Sequence, residues 1–273
     1  MASTAFGHGD THERIETLNA LLKTDPGHVD YLLERADIHR RHRNFDEALD
    51  DLNSAKVLAP TNDTVFYLIG LTLFERGDFD AAENALHTFI GRSPSNLRGH
   101  LAIAKVYTQQ NRHVHAAREY ELVISHQSTP NPDHYIARAR SYMDAGTPHL
   151  MQALQGLEEG IALIGPLITF RRLAIEIEIA QGNYQSAIDR VDSILQDVDR
   201  KETWLVKKAN ILSSIGMNQE ATQTFLLAER AIQALPNRNK KSPAVRALQK
   251  IIDTNLKSET PVKDGRYDTE AEP

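Results

Sequence analysis

The stretch Asn44-Phe-Asp-Glu-Ala48-Leu-Asp-Asp-Leu52-Asn-Ser-Ala55-Lys-Val-Leu-Ala-Pro60 decides the reading of this chain. Ala48, Leu52 and Ala55 fall on one face at helical spacing, and Pro60 marks where that helix must stop. The same pattern returns 34 residues later at Ala82, Leu86 and Pro94, and again at Ala116 and Tyr120. Working backwards, Ala36, Gly70 and Ala104 keep the same 34-residue interval, as do Phe45 and Phe79. Working forwards, an insertion of about two or three residues intervenes before the period resumes. Ala153, Ala187 and Ala221 are 34 apart, Leu157, Val191 and Phe225 follow them, and Gly182 pairs with Gly216.

Each period has a physical logic. A first helix carries a small residue (Ala36, Gly70, Ala104, Ala139 or Ala209) where a second helix must approach closely. A break follows at Gly77, Gly146, Gly182 or Gly216, because a helix C-terminus favours a left-handed residue. The second helix alternates small and large apolar positions, and one pair alone cannot bury its apolar face, so stacking on neighbours completes the core.

This pattern resembles the tetratricopeptide repeat family. The units Asn44 to Pro60 and Phe66 to Pro94 carry the resemblance most fully, and the unit from His100 to Ile124 follows it with Asn111 in place of the usual glycine. The unit from Tyr135 to Pro166 departs most, at Thr147, Pro148 and His149, where Thr147-Pro148 reads as an N-cap followed by a first-turn proline. Thr169 to Asp197 and Trp204 to Pro236 form the fifth and sixth units. The resemblance implies an all-α, right-handed superhelical solenoid of about six helix-turn-helix repeats with capping helices at both ends.

The expected organisation is a flexible arm over residues 1–10, with a helix beginning near Asp10 or Thr11. Residues 11–27 form a capping helix or half repeat, residues 28–236 the repeats, and residues 237–257 a C-terminal capping helix opened by Ser242-Pro243. Residues 258–273, with five acids and two bases, form a disordered acidic tail that carries half of the net charge of −6.

Several function classes are disfavoured. A balance of 31 bases against 37 acids argues against a nucleic-acid-coating protein. The absence of cysteine excludes disulfides, thiolate metal sites and cysteine nucleophiles. No run approaches the roughly 18 apolar residues of a membrane helix. No phosphate loop, dinucleotide fingerprint, nucleophile elbow or paired-histidine zinc motif is present. The expectation is therefore a non-enzymatic protein with no cofactor. An enzyme with a site assembled across repeats on the concave face is a rival reading.

Another rival uses the twelve histidines. His8, Asp10, His12 and Glu13 bring metal-ligand residue types together and define a metal-handling alternative, although their spacing suits a polar arm better. His39, His42, His113 and His115 are expected at turns between paired helices, where a cation beside a helix C-terminus is mildly favourable. The run His39 to Arg43 is read as a helix-end charge cluster of the same kind.

The resemblance also implies where a partner would lie, since in this family the first helix of each pair lines the concave face. Carried over unit by unit, this gives a groove of Tyr67, Leu71, Phe74, Arg98, Lys105, Arg140 and Met143. Arg172, Glu176, Ile179, Lys207 and Asn210 extend it in less certain register. Aromatic beside basic residues imply a protein or peptide partner with an acidic group and an apolar anchor. The tail, with Tyr267, is itself a candidate occupant. Family members that clamp chaperone C-termini use lysine and asparagine where this chain has Leu33, Asp37 and Leu68, so that partner class is disfavoured. As written, the N-terminus implies the cytoplasm. The small residues from Ala2 to Gly7 resemble a signal cleavage region, which would imply export to a periplasm if Met1 were an internal start. The sequence leaves the oligomeric state open.

Overall fold

Three of the first-type helices begin on the same device, an asparagine whose side chain caps the helix it precedes. The side-chain oxygen of Asn62 accepts from the Thr64 amide at 3.0 Å, that of Asn96 from Arg98 at 3.1 Å, and that of Asn131 from Asp133 at 3.0 Å. These caps recur with the repeat. In the computed structural model, which describes residues 6–258, they open three of fifteen α-helices, and no strand occurs among the described residues.

The chain divides into two compact units, Met1–Gly165 and Pro166–Pro273. In the first, α1 (Phe6–Thr24) precedes four pairs: α2 (Val29–Arg41) with α3 (Phe45–Leu58), α4 (Asp63–Arg76) with α5 (Phe79–Arg92), α6 (Leu97–Gln109) with α7 (His113–His126), and α8 (Pro132–Asp144) with α9 (Leu150–Ile164). In the second, α10 (Ile168–Ala180) pairs with α11 (Tyr184–Asp197) and α12 (Glu202–Ser214) with α13 (Asn218–Ala234). The short α14 (Asn237–Lys240) and the longer α15 (Pro243–Ser258) follow. Within each unit helices pack chiefly on their neighbours in sequence: α4 on α5, α6 on α7, α12 on α13, and α15 on both α13 and α12.

The small residues identified from spacing are the contact points. Ala48, Ala82, Ala104, Ala116, Ala139, Ala153, Ala187 and Ala209 are each completely buried. Gly70 takes the same role more extremely. A Cβ placed there would lie 2.6 Å from Cγ of Leu86 on α5, so that leucine fills the hollow the glycine leaves.

The break inside five of the six pairs, all but α8 with α9, is a recurring hydrogen-bonded motif. The amide two residues past the first helix's last full turn donates back five positions: Asn44 to His39, Asp78 to Leu73, Arg112 to Tyr107, Asn183 to Glu178 and Met217 to Leu212, all within 2.8–3.0 Å. This is a Schellman closure, which needs a left-handed residue just before the donor. Gly77, Gly182 and Gly216 supply it with φ of 101°, 76° and 78°, Asn111 with 58° and Arg43 with 63°. Arginine is an unfavourable choice, because its Cβ crowds the following carbonyl at positive φ. Arg43→Gly is therefore expected to raise stability by about 1 kcal/mol, whereas Asn111→Gly changes it by only a few tenths. Urea midpoints of the two variants check this, and a loss at position 43 would show that its guanidinium over the Phe45 ring (5.8 Å) outweighs the strain.

Three features differ from the sequence reading. Helix α1 begins at Phe6, not at a cap on Asp10 or Thr11, because Gly7 and Gly9 weaken a helix without ending it. His113 and His115 open α7 and do not end α6; the His115 ring lies 5.4 Å from that of Tyr107. Thr147–His149 forms a single 3-10 turn before α9, which absorbs the inserted residues. The basic run behaves as a helix-end cluster: Arg40 and Arg41 both pair with Asp37, and Arg40 reaches Glu75 on α4. At the C-terminal end Ser242 accepts from the Val245 amide at 3.3 Å and so opens α15. The expected acidic tail, apart from Ser258, lies outside the described residues, as do residues 1–5 of the expected arm.

Candidate binding face on the first-type helices

Register places Leu71, Lys105 and Arg140 at equivalent positions on α4, α6 and α8, with intervals of 34 and 35 residues. Phe74 and Met143 lie about one turn further along their helices. The side chains at this face divide into two kinds. Tyr67, Leu71 and Phe74 are half-buried and pack against the cluster formed by Ala82, Leu86, Ala102, Ile103 and Tyr107. Tyr67 also tilts against Phe89, ring centroids 5.1 Å apart, and the Arg98 guanidinium lies 4.8 Å above its ring. A cation at that distance is attracted by the ring's negative face, so Arg98 is held in place yet remains exposed.

Lys105 and Arg140 are the other kind. Both are exposed, and no ion pair or hydrogen bond holds either among the described residues. Elsewhere in the unit most arginines are matched: Arg35 with Asp51, Arg112 with Glu83 at 2.7 Å, Arg138 with Glu159 at 2.7 Å. Two unmatched cations at equivalent positions of consecutive first-type helices, beside a half-exposed aromatic surface, suit an acidic group with an apolar neighbour. Met143 is half-buried and completes the apolar part.

Tyr142, next to Met143, points away from this face and donates to Glu121 at 2.6 Å. Burial and then that hydrogen bond push its phenol from 10.0 up to about 12. The folded state thus holds this proton more tightly than the unfolded chain. The resulting stabilisation is complete below pH 10 and is lost as pH rises through about 12. In an alkaline titration followed by tyrosinate absorbance, Tyr142→Phe is expected to remove the latest ionisation step; an unchanged last step would disprove the assignment.

The metal and catalytic alternatives gain no geometry. His12 and Glu16 form an exposed i,i+4 pair at 3.4 Å, the side chains of His8 and Asp10 lie outside those described, and no group of three metal-ligand side chains occurs among the described residues. Histidine–carboxylate pairs also join His87 to Glu83 within α5 and His100 to Glu119 between α6 and α7. Neither joins two first-type helices.

Three of the residues expected in less certain register, Ile179, Lys207 and Asn210, come together. In the second unit Ile179, Val206, Lys207 and Asn210 line a cleft of about 400 Å³ whose other wall is Leu248 and Ile251 of α15. The available signal was α15 itself, in which Val245, Leu248, Ile251, Ile252 and Leu256 make an apolar stripe too wide for one buried seam.

The family model for the tetratricopeptide repeat matches residues 1–63 and 67–132, the stretch that holds three of the five Schellman closures, those with Arg43, Gly77 and Asn111 in the left-handed position. Residues 1–132 are built of tetratricopeptide repeats. A solved tetratricopeptide protein from Parabacteroides merdae is similar at 15% identity and a TM-score of 0.54, covering 91% of this chain and 94% of that one. The C-terminal part of a tetratricopeptide repeat-containing protein from Cytophaga hutchinsonii is similar at 14% identity and a TM-score of 0.69, covering 89% and 96%. The Naa15/Naa10 complex bound to HypK-THB contains a chain similar at 16% identity and a TM-score of 0.59, covering 92% of this chain and 37% of that one. At these identities the likeness is one of fold. No curated protein matches the chain in sequence. The tetratricopeptide fold is generally a protein-interaction scaffold, and no helix among the described residues is long and apolar enough to cross a membrane.

Proposed function

We propose that this protein is a non-enzymatic adaptor that captures a partner segment on the first-type helices of its first unit. The observation that supports this most is the unmatched pair Lys105 and Arg140 at equivalent positions of α6 and α8. A carboxylate or phosphate between them gains charge-assisted hydrogen bonds without displacing an internal partner. An apolar side chain of the same segment meets the surface of Leu71, Phe74 and Met143, while Arg98 on Tyr67 adds a third cation at its edge.

The test is a selection of displayed random peptides on the full chain, followed by affinity measurement with the enriched peptides. Acidic, apolar-containing sequences are expected, and Lys105→Glu with Arg140→Glu is expected to weaken them at least tenfold, about 1.4 kcal/mol or more. Both residues are exposed, so thermal unfolding should move little. Peptides that bind both variants as tightly as the native chain would place the site elsewhere. Tyr67→Ala is a poorer probe, because its ring packs on Phe89 and its loss would disturb the core as well.

A further inference from the structure

The cleft in the second unit differs in chemistry from the face on the first-type helices of the first unit. Its floor is apolar, formed by Ile179, Val206, Leu248 and Ile251, and Lys207 and Asn210 stand at its rim with no acidic side chain in the lining. Ile251 is 38% exposed, although Ile252 beside it is fully buried. Lys207 has no ion pair among the described residues, whereas the adjacent Lys208 is held by Asp192 at 2.7 Å. An apolar floor with one unmatched cation asks for an aromatic or aliphatic side chain flanked by carboxylates.

A segment of that composition leaves the wall of the cleft itself. Helix α15 carries Leu248 and Ile251 and ends at Ser258, roughly 10 Å beyond Ile251 along the helix. Residues 259–273, outside the described region, hold Glu259, Asp264, Asp268, Glu270 and Glu272 against Lys263 and Arg266, a net charge of −3. They include one aromatic residue, Tyr267, preceded by Asp264-Gly265, a dipeptide suited to reversing the chain. Eight residues lie between Ser258 and Tyr267, and the nine Cα–Cα steps reach roughly 30 Å against the ~10 Å to be retraced. A tether this short sets an effective concentration on the order of millimolar.

From this we infer that residues 259–273 dock in cis in the cleft between α12 and α15, with the Tyr267 ring on the apolar floor and a flanking aspartate at Lys207. The segment thereby occupies an interaction surface of the second unit and must be displaced before another ligand enters. This inference stands independently of the groove in the first unit.

The absence of native cysteine makes the test direct. In the full-length chain, Arg266→Cys is combined with Asn210→Cys at the cleft rim or with Gln223→Cys, an exposed position on α13. The initial rate of intramolecular disulfide formation is then followed under mild oxidation. The 210/266 pair is expected to close at least tenfold faster than 223/266, and Tyr267→Ala with Lys207→Glu should abolish that advantage. Equal rates for the two pairs would overturn the docking. A 210/266 disulfide that forms mainly between chains, at a rate rising with concentration, would overturn the cis arrangement and assign the segment to a second copy. Asn210 and Gln223 are exposed and Lys207 is half-buried, and circular dichroism of the reduced variants checks that each is folded.

Discussion

Leu86→Ala is expected to lower unfolding free energy by about 3 kcal/mol, within the 2–5 kcal/mol usual for a buried leucine. Leu86 is completely buried, and its Cγ fills the hollow at Gly70 where a Cβ would come within 2.6 Å. Removing the knob leaves both its cavity and an unfilled glycine hollow. Gly70→Ala alone is expected to cost about 1 kcal/mol, because steric strain of roughly 1–3 kcal/mol is partly offset by better helix propensity of about 1 kcal/mol. In the double variant the new methyl enters the space Leu86 vacated, so its loss should be smaller than the sum of the two by about 1 kcal/mol. Urea unfolding followed by circular dichroism measures all three. Strictly additive losses would show that the two positions do not interlock.

The second large effect concerns a buried charge. Glu178 on α10 is 3% exposed and accepts two-pronged hydrogen bonds from Arg190 on α11, at 2.7 Å from Nη2 and 3.1–3.2 Å from Nε. Arg190→Met is expected to cost about 3 kcal/mol, since it leaves a carboxylate buried without its cation. Glu178→Gln in the same chain removes the charge and should recover about 1–2 kcal/mol. The loss in the single variant should vary little between low and high salt, because the pair lies away from solvent ions. A double variant no more stable than Arg190→Met would mean that the lost packing of the arginine stem, and not the stranded charge, sets the cost.

The sequence was most legible where backbone geometry restricts residue choice. Ala48, Ala82 and Ala116 repeat because two helix backbones meet there, and Gly77, Gly182 and Gly216 repeat because the Schellman closure needs positive φ. Arg43 makes the same turn unseen, since arginine carries no sign of a left-handed backbone. At the candidate face, Lys105 and Arg140 could be placed by register alone. The half-burial of Tyr67 could not, because it depends on Phe89 and Arg98, 22 and 31 residues away in the chain. Helix α15 was legible as an apolar stripe but not as the wall of a cleft. Distinguishing these requires knowing that α12 turns Lys207 and Asn210 towards it.

The packing of each helix chiefly on its neighbours in sequence has a consequence for synthesis. Contacts of short sequence separation carry little loop-closure entropy, which favours fast formation. A ribosome adding roughly 5–20 residues per second is slow compared with helix pairing, so α4 and α5 can close once α5 has emerged. The nascent chain therefore grows by burying one helix pair after another. The surface at risk of aggregation at any moment is that of the newest pair, and the chain need not wait for its last helix before its first ones are safe.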